Sequence, residues 1–138
     1  LGPATQMAAD AVEWRMDSYW TALEEAAASD IFRESDPMAP ELVPVREDIA
    51  VRNGFLYTGK MDAEGFSSTG YSYAGEDYFQ QCKASGKPYI SDIINDGQQL
   101  IFLLEVPIIT DGRFDGVVYG GIDAGFLSEI VVGLAMGG

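Results

Sequence analysis

The chain has 138 residues, 47% hydrophobic, 12% aromatic and 22% charged, a composition that excludes disordered and collagenous chains and fits one globular domain with one core. Eight basic residues against 22 acidic ones give a formal net charge of -14. A field of that sign repels phosphate backbones and anionic lipid headgroups, so nucleic acid is excluded as a partner and cationic ligands are weakly favoured, although the same charge also serves plain solubility.

From residue 4 to about residue 33 no proline or glycine interrupts the chain, and Val12, Met16, Tyr19, Leu23, Ala27 and Ile31 recur at steps of four and three. That spacing predicts one long helix with an apolar stripe, opposed by Glu13, Asp17, Glu24 and Glu25. Some 30 residues would measure about 45 Å, so the helix is expected to overhang the body of the domain. Pro37, Pro40 and Pro44 stop it and force an extended passage, and a second helix is expected from about 41 to 52 with Gly54 as its stop. The period then changes to that of strands. Residues 55–60, a turn at 62–65 and residues 66–69 read as a hairpin, followed by a short helix over 76–84 ended near Gly86 and an extended start at 88–91. The Asn95-Asp96-Gly97 turn leads into a strand over 98–109, which Thr110-Asp111-Gly112-Arg113 joins to another over 114–122. A last helix is expected from about 124 to 136 with Asp123 as N-cap. The order predicts an α+β fold, an antiparallel sheet of about five strands with the long N-terminal helix packed across one face and a helix at the C-terminus.

The absence of histidine removes Ser-His-Asp and Cys-His catalysis, HExxH zinc sites and a His-ligated haem together. The single cysteine, Cys82, forms no internal disulfide, has no base beside it and reads as an inert thiol. Ser85-Gly86-Lys87-Pro88 lacks the remaining residues of a phosphate-binding loop, and no spacing matches a calcium loop. No catalytic group, metal or cofactor is therefore assigned, and the chain is read as a non-enzyme.

Several fragments follow one another in order: Tyr57 with Asp62-Ala63-Glu64-Gly65, Glu76-Asp77-Tyr78-Phe79, Gly86-Lys87-Pro88-Tyr89-Ile90-Ser91-Asp92, Val106-Pro107-Ile108, Asp111-Gly112-Arg113, and Gly116-Val117-Val118-Tyr119-Gly120-Gly121-Ile122-Asp123. The ordered set, over about residues 54–130, resembles the Cache family, PAS-like extracytoplasmic sensors, and within it the membrane-distal module of double Cache sensors. The resemblance implies residues 1–34 as a signalling and dimerisation helix and residues 35–138 as the ligand-binding module. It implies a place on the periplasmic or extracellular side of a bacterial membrane and membrane contact only through anchors outside this sequence. A chemoreceptor, a sensor histidine kinase or a diguanylate cyclase is the expected owner, and the last nine residues are similar to a link into a second module.

Amino-acid-binding members of the family hold the ligand carboxylate with an Arg-x-Trp-Tyr pattern preceded by a tyrosine. By spacing, Tyr71 matches the early tyrosine, Tyr78 and Phe79 the aromatic pair, Tyr89 a later tyrosine, Asp123 a final acid and, less closely, Asp92 another. Glu76 stands where the arginine would be. Glutamate repels a carboxylate that arginine would pair with. With Tyr73 added, the set Tyr71, Tyr73, Glu76, Tyr78, Phe79, Tyr89, Asp92 and Asp123 is aromatic and acidic, suited to an organic amine. Against this, aromatic residues in a half-buried sheet are ordinary core, and Asp123 has a cap to provide. The alternatives are an amino-acid or small-carboxylate sensor, a cytoplasmic PAS-type module with a chromophore, and a pure dimerisation module.

Overall fold

The computed structural model describes residues 3–126. The first helix, α1, is Pro3–Ala28, and its buried residues are Tyr19, Leu23, Ala26 and Ala27. The expected uninterrupted helix to residue 33 does not form. Ser29 adopts an extended backbone (φ -78°, ψ 146°), its hydroxyl donates to Ala26 O at 2.6 Å, and a separate five-residue helix, α2, runs Asp30–Glu34. Serine bonds to its own backbone readily enough to end a helix without proline or glycine. The break lets Phe32, which no straight stripe included, become fully buried.

Helix α3 spans Leu42–Asn53 and stops at Gly54, which takes the left-handed conformation (φ 81°) and donates to Ala50 O at 2.9 Å. Strand β1, Tyr57–Asp62, comes next, and the expected hairpin with residues 66–69 is cut short to a single bridge. β1 pairs along its length with the last strand on one side, and on the other it makes the bridge Met61↔Ser67, with Asp62 N donating to Phe66 O at 2.8 Å and Ser68 N to Lys60 O at 2.9 Å, while Phe66 bridges to Ser72. Local side chains explain this. Asp62 Oδ1 accepts from Glu64 N and Phe66 N at 2.9 and 3.0 Å, closing a tight turn, and Ser68 Oγ accepts the Lys60 N–H that a ladder partner would have taken.

Helix α4 (Asp77–Ser85), the two-residue strands β2 (Tyr89–Ile90) and β3 (Ile94–Asn95), and the long strands β4 (Leu100–Thr110) and β5 (Arg113–Asp123) complete the order. The β4–β5 turn places Asp111 and Gly112 at φ 51° and 76°, the double left-handed conformation that favours Asp-Gly. The sheet is antiparallel and five-stranded in the order β1-β5-β4-β2, with β3 also on β4. The expected final helix is helical over residues 124–126 and otherwise lies outside the described residues.

Alternation along β4 and β5 divides the core. Leu104, Val106, Ile108, Val118 and Ile122 face the helices and pack with Tyr19, Leu23, Phe32, Leu42 and Phe55. Ile101, Leu103, Val117 and Tyr119 face the other way, with Met61 and with Phe79 and Cys82 of α4. Lys60 is buried on the helix side of the sheet, where its ammonium donates to Ser35 O at 2.6 Å and ties β1 to the chain leaving α2. Among the described residues no helix is long and apolar enough to cross a membrane.

Candidate ligand-binding site

On the face of the sheet away from α1, a cavity of about 230 Å³ lies between β1, β5 and β4 below and the loop preceding α4 above. Two pairs of tyrosines wall it. Tyr57 and Tyr119 rise from the sheet with ring centroids 6.4 Å apart and planes at 73°, and Tyr73 and Tyr78 come from the covering loop and α4 with centroids 6.1 Å apart. Glycine makes the first pair possible. Gly59 sits opposite Tyr119 and Gly121 opposite Tyr57 in the β1–β5 register; a Cβ on Gly59 would collide with the Tyr119 phenol, and one on Gly121 would stand 2.6 Å from the Tyr57 ring. Each tyrosine thus reaches over the glycine of the neighbouring strand. The covering loop is held by backbone bonds: Tyr73 N donates to Gly65 O at 2.8 Å and Glu76 N to Tyr73 O at 3.0 Å.

Ile94, Asn95 and Asp96 close the far side. The Asp96 carboxylate accepts from Gln98 N and Gln99 N at 2.9 Å each, and these bonds, Gln99 first, hold its pKa below the usual carboxylate value. A fixed negative charge therefore stands at the cavity wall. Burial first, then the Asp96 charge, pushes the Tyr57 phenol up to about 12.

One acid lies deeper. Glu105 points to the same face as Leu103 and is flanked across the sheet by Tyr119 on β5 and Tyr89 on β2. It is fully buried, and neither carboxylate oxygen has a hydrogen-bond partner. Burial pushes its pKa up to about 9, so the carboxyl is neutral across ordinary pH. Tyr78 and Cys82 of α4 both feel it electrostatically, which places it directly under that helix. Leu103 and Tyr119, which line the cavity, are its neighbours along and across the strands.

Of the eight residues expected at the site, Tyr73 and Tyr78 line the cavity. Tyr71 is 71% exposed and contributes its backbone carbonyl, which accepts from Ser67 N and Oγ. Glu76 is the exposed N-cap residue of α4 and makes no side-chain cap bond; its charge is felt by Tyr78. Phe79 is buried and packs edge-on to Phe114, with the Lys83 ammonium 5.9 Å from both rings. Tyr89 is half-buried beside Glu105 on the sheet, and Asp92 is exposed. Asp123 stands opposite Ile101, a cavity-wall residue, but its Oδ1 accepts from Gly125 N at 2.8 Å. Tyr57, Asp96, Glu105 and Tyr119 were absent from the expected set. For Glu105 the signal was there: a lone acid inside the apolar run from Leu100 to Ile109.

No family model matches the chain, and no curated protein does. Solved structures do. The sensor domain of Escherichia coli DcuS aligns with a TM-score of 0.68 at 12% identity over 86% of this chain and 96% of its own. An extracellular ligand-binding receptor from Desulfohalobium retbaense aligns at 0.79 and 17% over 95% of this chain. The ligand-binding domain of the Pseudomonas fluorescens chemoreceptor CtaA, in complex with L-serine, aligns at 0.71 and 18% over 91%. The chain spans 26% of the second structure and 58% of the third. At these identities the likeness concerns the fold: this chain has the fold of the Cache-type sensor domains.

Proposed function

We propose that the chain is the extracytoplasmic small-molecule sensing domain of a bacterial transmembrane receptor, and that its ligand is an organic amine. The observation that carries the reading is the cavity walled by four tyrosines, with the Asp96 carboxylate at its wall and the unpartnered carboxyl of Glu105 behind it. A volume of about 230 Å³ corresponds to roughly eight waters at ~30 Å³ each, room for a small organic molecule. An ammonium group against tyrosine faces gains about 0.5–2 kcal/mol per good contact, more where water is excluded. It also supplies what Glu105 lacks, a charge that returns the carboxyl to its ionised form. The shared fold supports the reading at the level of class. Sensor domains of this fold include structures in complex with GABA, L-serine and L-Arg, all of which carry an amine.

In the same reading ligand binding favours one of two arrangements of the loop and α4 over the sheet, and α1, which packs on the opposite face, carries the difference to a second copy of the chain. Thermal shift with a panel of amines, neutral isosteres of the same size and carboxylates tests the ligand class. A binding amine at 100 times its Kd adds about 2.7 kcal/mol to stability, a shift of several degrees. Glu76→Gln weakens it modestly and Glu105→Gln strongly. If carboxylates or neutral molecules stabilise the chain and no amine does, the amine reading fails while the sensor reading stands.

A further inference from the structure

At the outer edge of β1 a second cavity, about 360 Å³, opens between α3, the start of β1 and Thr69. We propose that it is a separate ligand site that takes the carboxylate of a small organic acid, with Arg46 and Tyr119 as its anchors. The proposal does not rest on the amine reading, although Tyr57 and Tyr119 stand between the two cavities and line both.

Two donors on the residues that wall this cavity lack a well-formed hydrogen bond, with only the Ser67 hydroxyl near the second of them. Arg46 Nε is sealed from solvent and has no hydrogen-bond partner. Tyr119 Oη is likewise sealed and unpartnered on a side chain only 2% exposed, and it extends across Gly59 toward the β1 edge where Arg46 stands. The Arg46 charge is felt at the Tyr119 phenol, which places the two groups close together. The adjacent Ser67 hydroxyl donates to Tyr71 O at 2.9 Å and accepts from Thr69 N at 3.3 Å, and it does not meet Tyr119 Oη in hydrogen-bond geometry. The arginine itself is well placed, because its carbonyl accepts from Thr58 Oγ1 at 2.8 Å and pins α3 to β1. Five of the other bases are occupied: Arg52 pairs with Asp48, Lys60 donates to Ser35 O, Lys83 to Ala63 O, Arg33 to Thr110 and Arg15 to Tyr19, while Lys87 and Arg113 are exposed.

A pair of buried donors without an acceptor defines the missing partner as an acceptor. A guanidinium beside a phenol hydroxyl matches a carboxylate, which accepts charge-assisted bonds from the first and a third bond from the second. The remaining walls argue for an organic acid over an inorganic dianion. Ala50, Phe55 and Leu56 line an apolar flank for a short tail, while Glu47 on the rim and a net charge of -14 oppose a second negative charge.

Isothermal titration calorimetry of the chain with propionate, using propionamide and sulfate as controls, tests the site, and the 15N Nε resonance of Arg46 reports its location. Propionate is expected to bind and to shift that resonance, with propionamide and sulfate at least ~10-fold weaker. Arg46→Gln should reduce propionate affinity ~10-fold or more, Tyr119→Phe by a smaller factor, and Glu105→Gln not at all. Far-UV circular dichroism checks the fold, and Arg46→Lys, which keeps the charge but not the planar fork, should retain part of the affinity should Arg46→Gln not fold. Absence of propionate binding, sulfate binding as tight as propionate, or full affinity in the Arg46 variants would each overturn the proposal. Amine titrations run beside these read the other cavity, so failure of one reading leaves the other visible.

Discussion

Glu105→Gln removes the one buried carboxyl of the sheet at almost constant volume, and its effect can be worked from the structure. In the unfolded chain Glu105 releases its proton near 4.5; in the fold burial holds that proton up to about 9. Between those values the folded state binds the extra proton, so stability is fully present below 4.5 and declines as pH rises toward 9. The decline is about 1.4 kcal/mol per pH unit, which by pH 7 amounts to about 3 kcal/mol, a ceiling because the interior relaxes around a charge. Glutamine cannot titrate. Urea denaturation at pH 5, 6, 7 and 8, followed by circular dichroism, should therefore show wild type falling progressively below the variant, with a gap of less than about 1 kcal/mol at pH 5 and of about 2–3 kcal/mol at pH 7. In saturating amine the gap should narrow, because the ligand charge offsets that of the ionised carboxylate. Parallel stability curves for the two proteins across this range would refute the buried, unpartnered placement of Glu105.

Other consequences are more local. Phe32→Ala should cost about 3–5 kcal/mol in the same denaturation assay, because Phe32 is fully buried only if the chain breaks at Ser29; a cost below 1 kcal/mol would argue for a continuous helix with Phe32 outside. Cys82, buried and pushed up to about 12 by that burial, should resist iodoacetamide at pH 8 in the folded chain and react once urea is added. Stoichiometric labelling without denaturant would contradict its position under α4. Tyr73→Leu, which removes a cavity wall from the covering loop, should weaken amine binding about 3- to 10-fold in calorimetry, whereas Tyr71→Leu, at a residue outside the cavity lining, should change it little.

Much of the architecture was written in short stretches of sequence. Gly54 and Gly86 stop α3 and α4 within a residue of the expected places, and Asp111-Gly112 makes the turn of the long hairpin, because a left-handed residue or a side-chain cap acts over only a few bonds. The apolar stripe of α1 was legible for the same reason, up to Ser29, where a serine hydroxyl outcompeted the helix and no periodicity could reveal it. The partner of β1 was not legible. Residues 66–69 have strand-like composition, yet the Asp62 and Ser68 side chains limit the hairpin to one bridge, and β1 pairs along its length with a strand some 60 residues later.

The candidate site divides along the same line. That aromatic and acidic residues gather around a cavity was readable from the composition of residues 57–123; which of them face it was decided by register and strand order. Tyr73 and Tyr78 lie on the covering elements, which the sequence places next to one another, and both reach the cavity. Tyr57, Tyr119 and Glu105 come from three strands that meet only in the sheet, and their environment exists only once Gly59 and Gly121 have made room for the rings. A side chain's chemistry belongs to its residue, but its burial, its missing partner and hence its proton belong to neighbours that the chain brings together from far away. That is why the sequence by itself determined the kind of fold, and only the tertiary structure decided that Glu105 and Arg46 are ionisable groups with buried atoms that lack a hydrogen-bond partner.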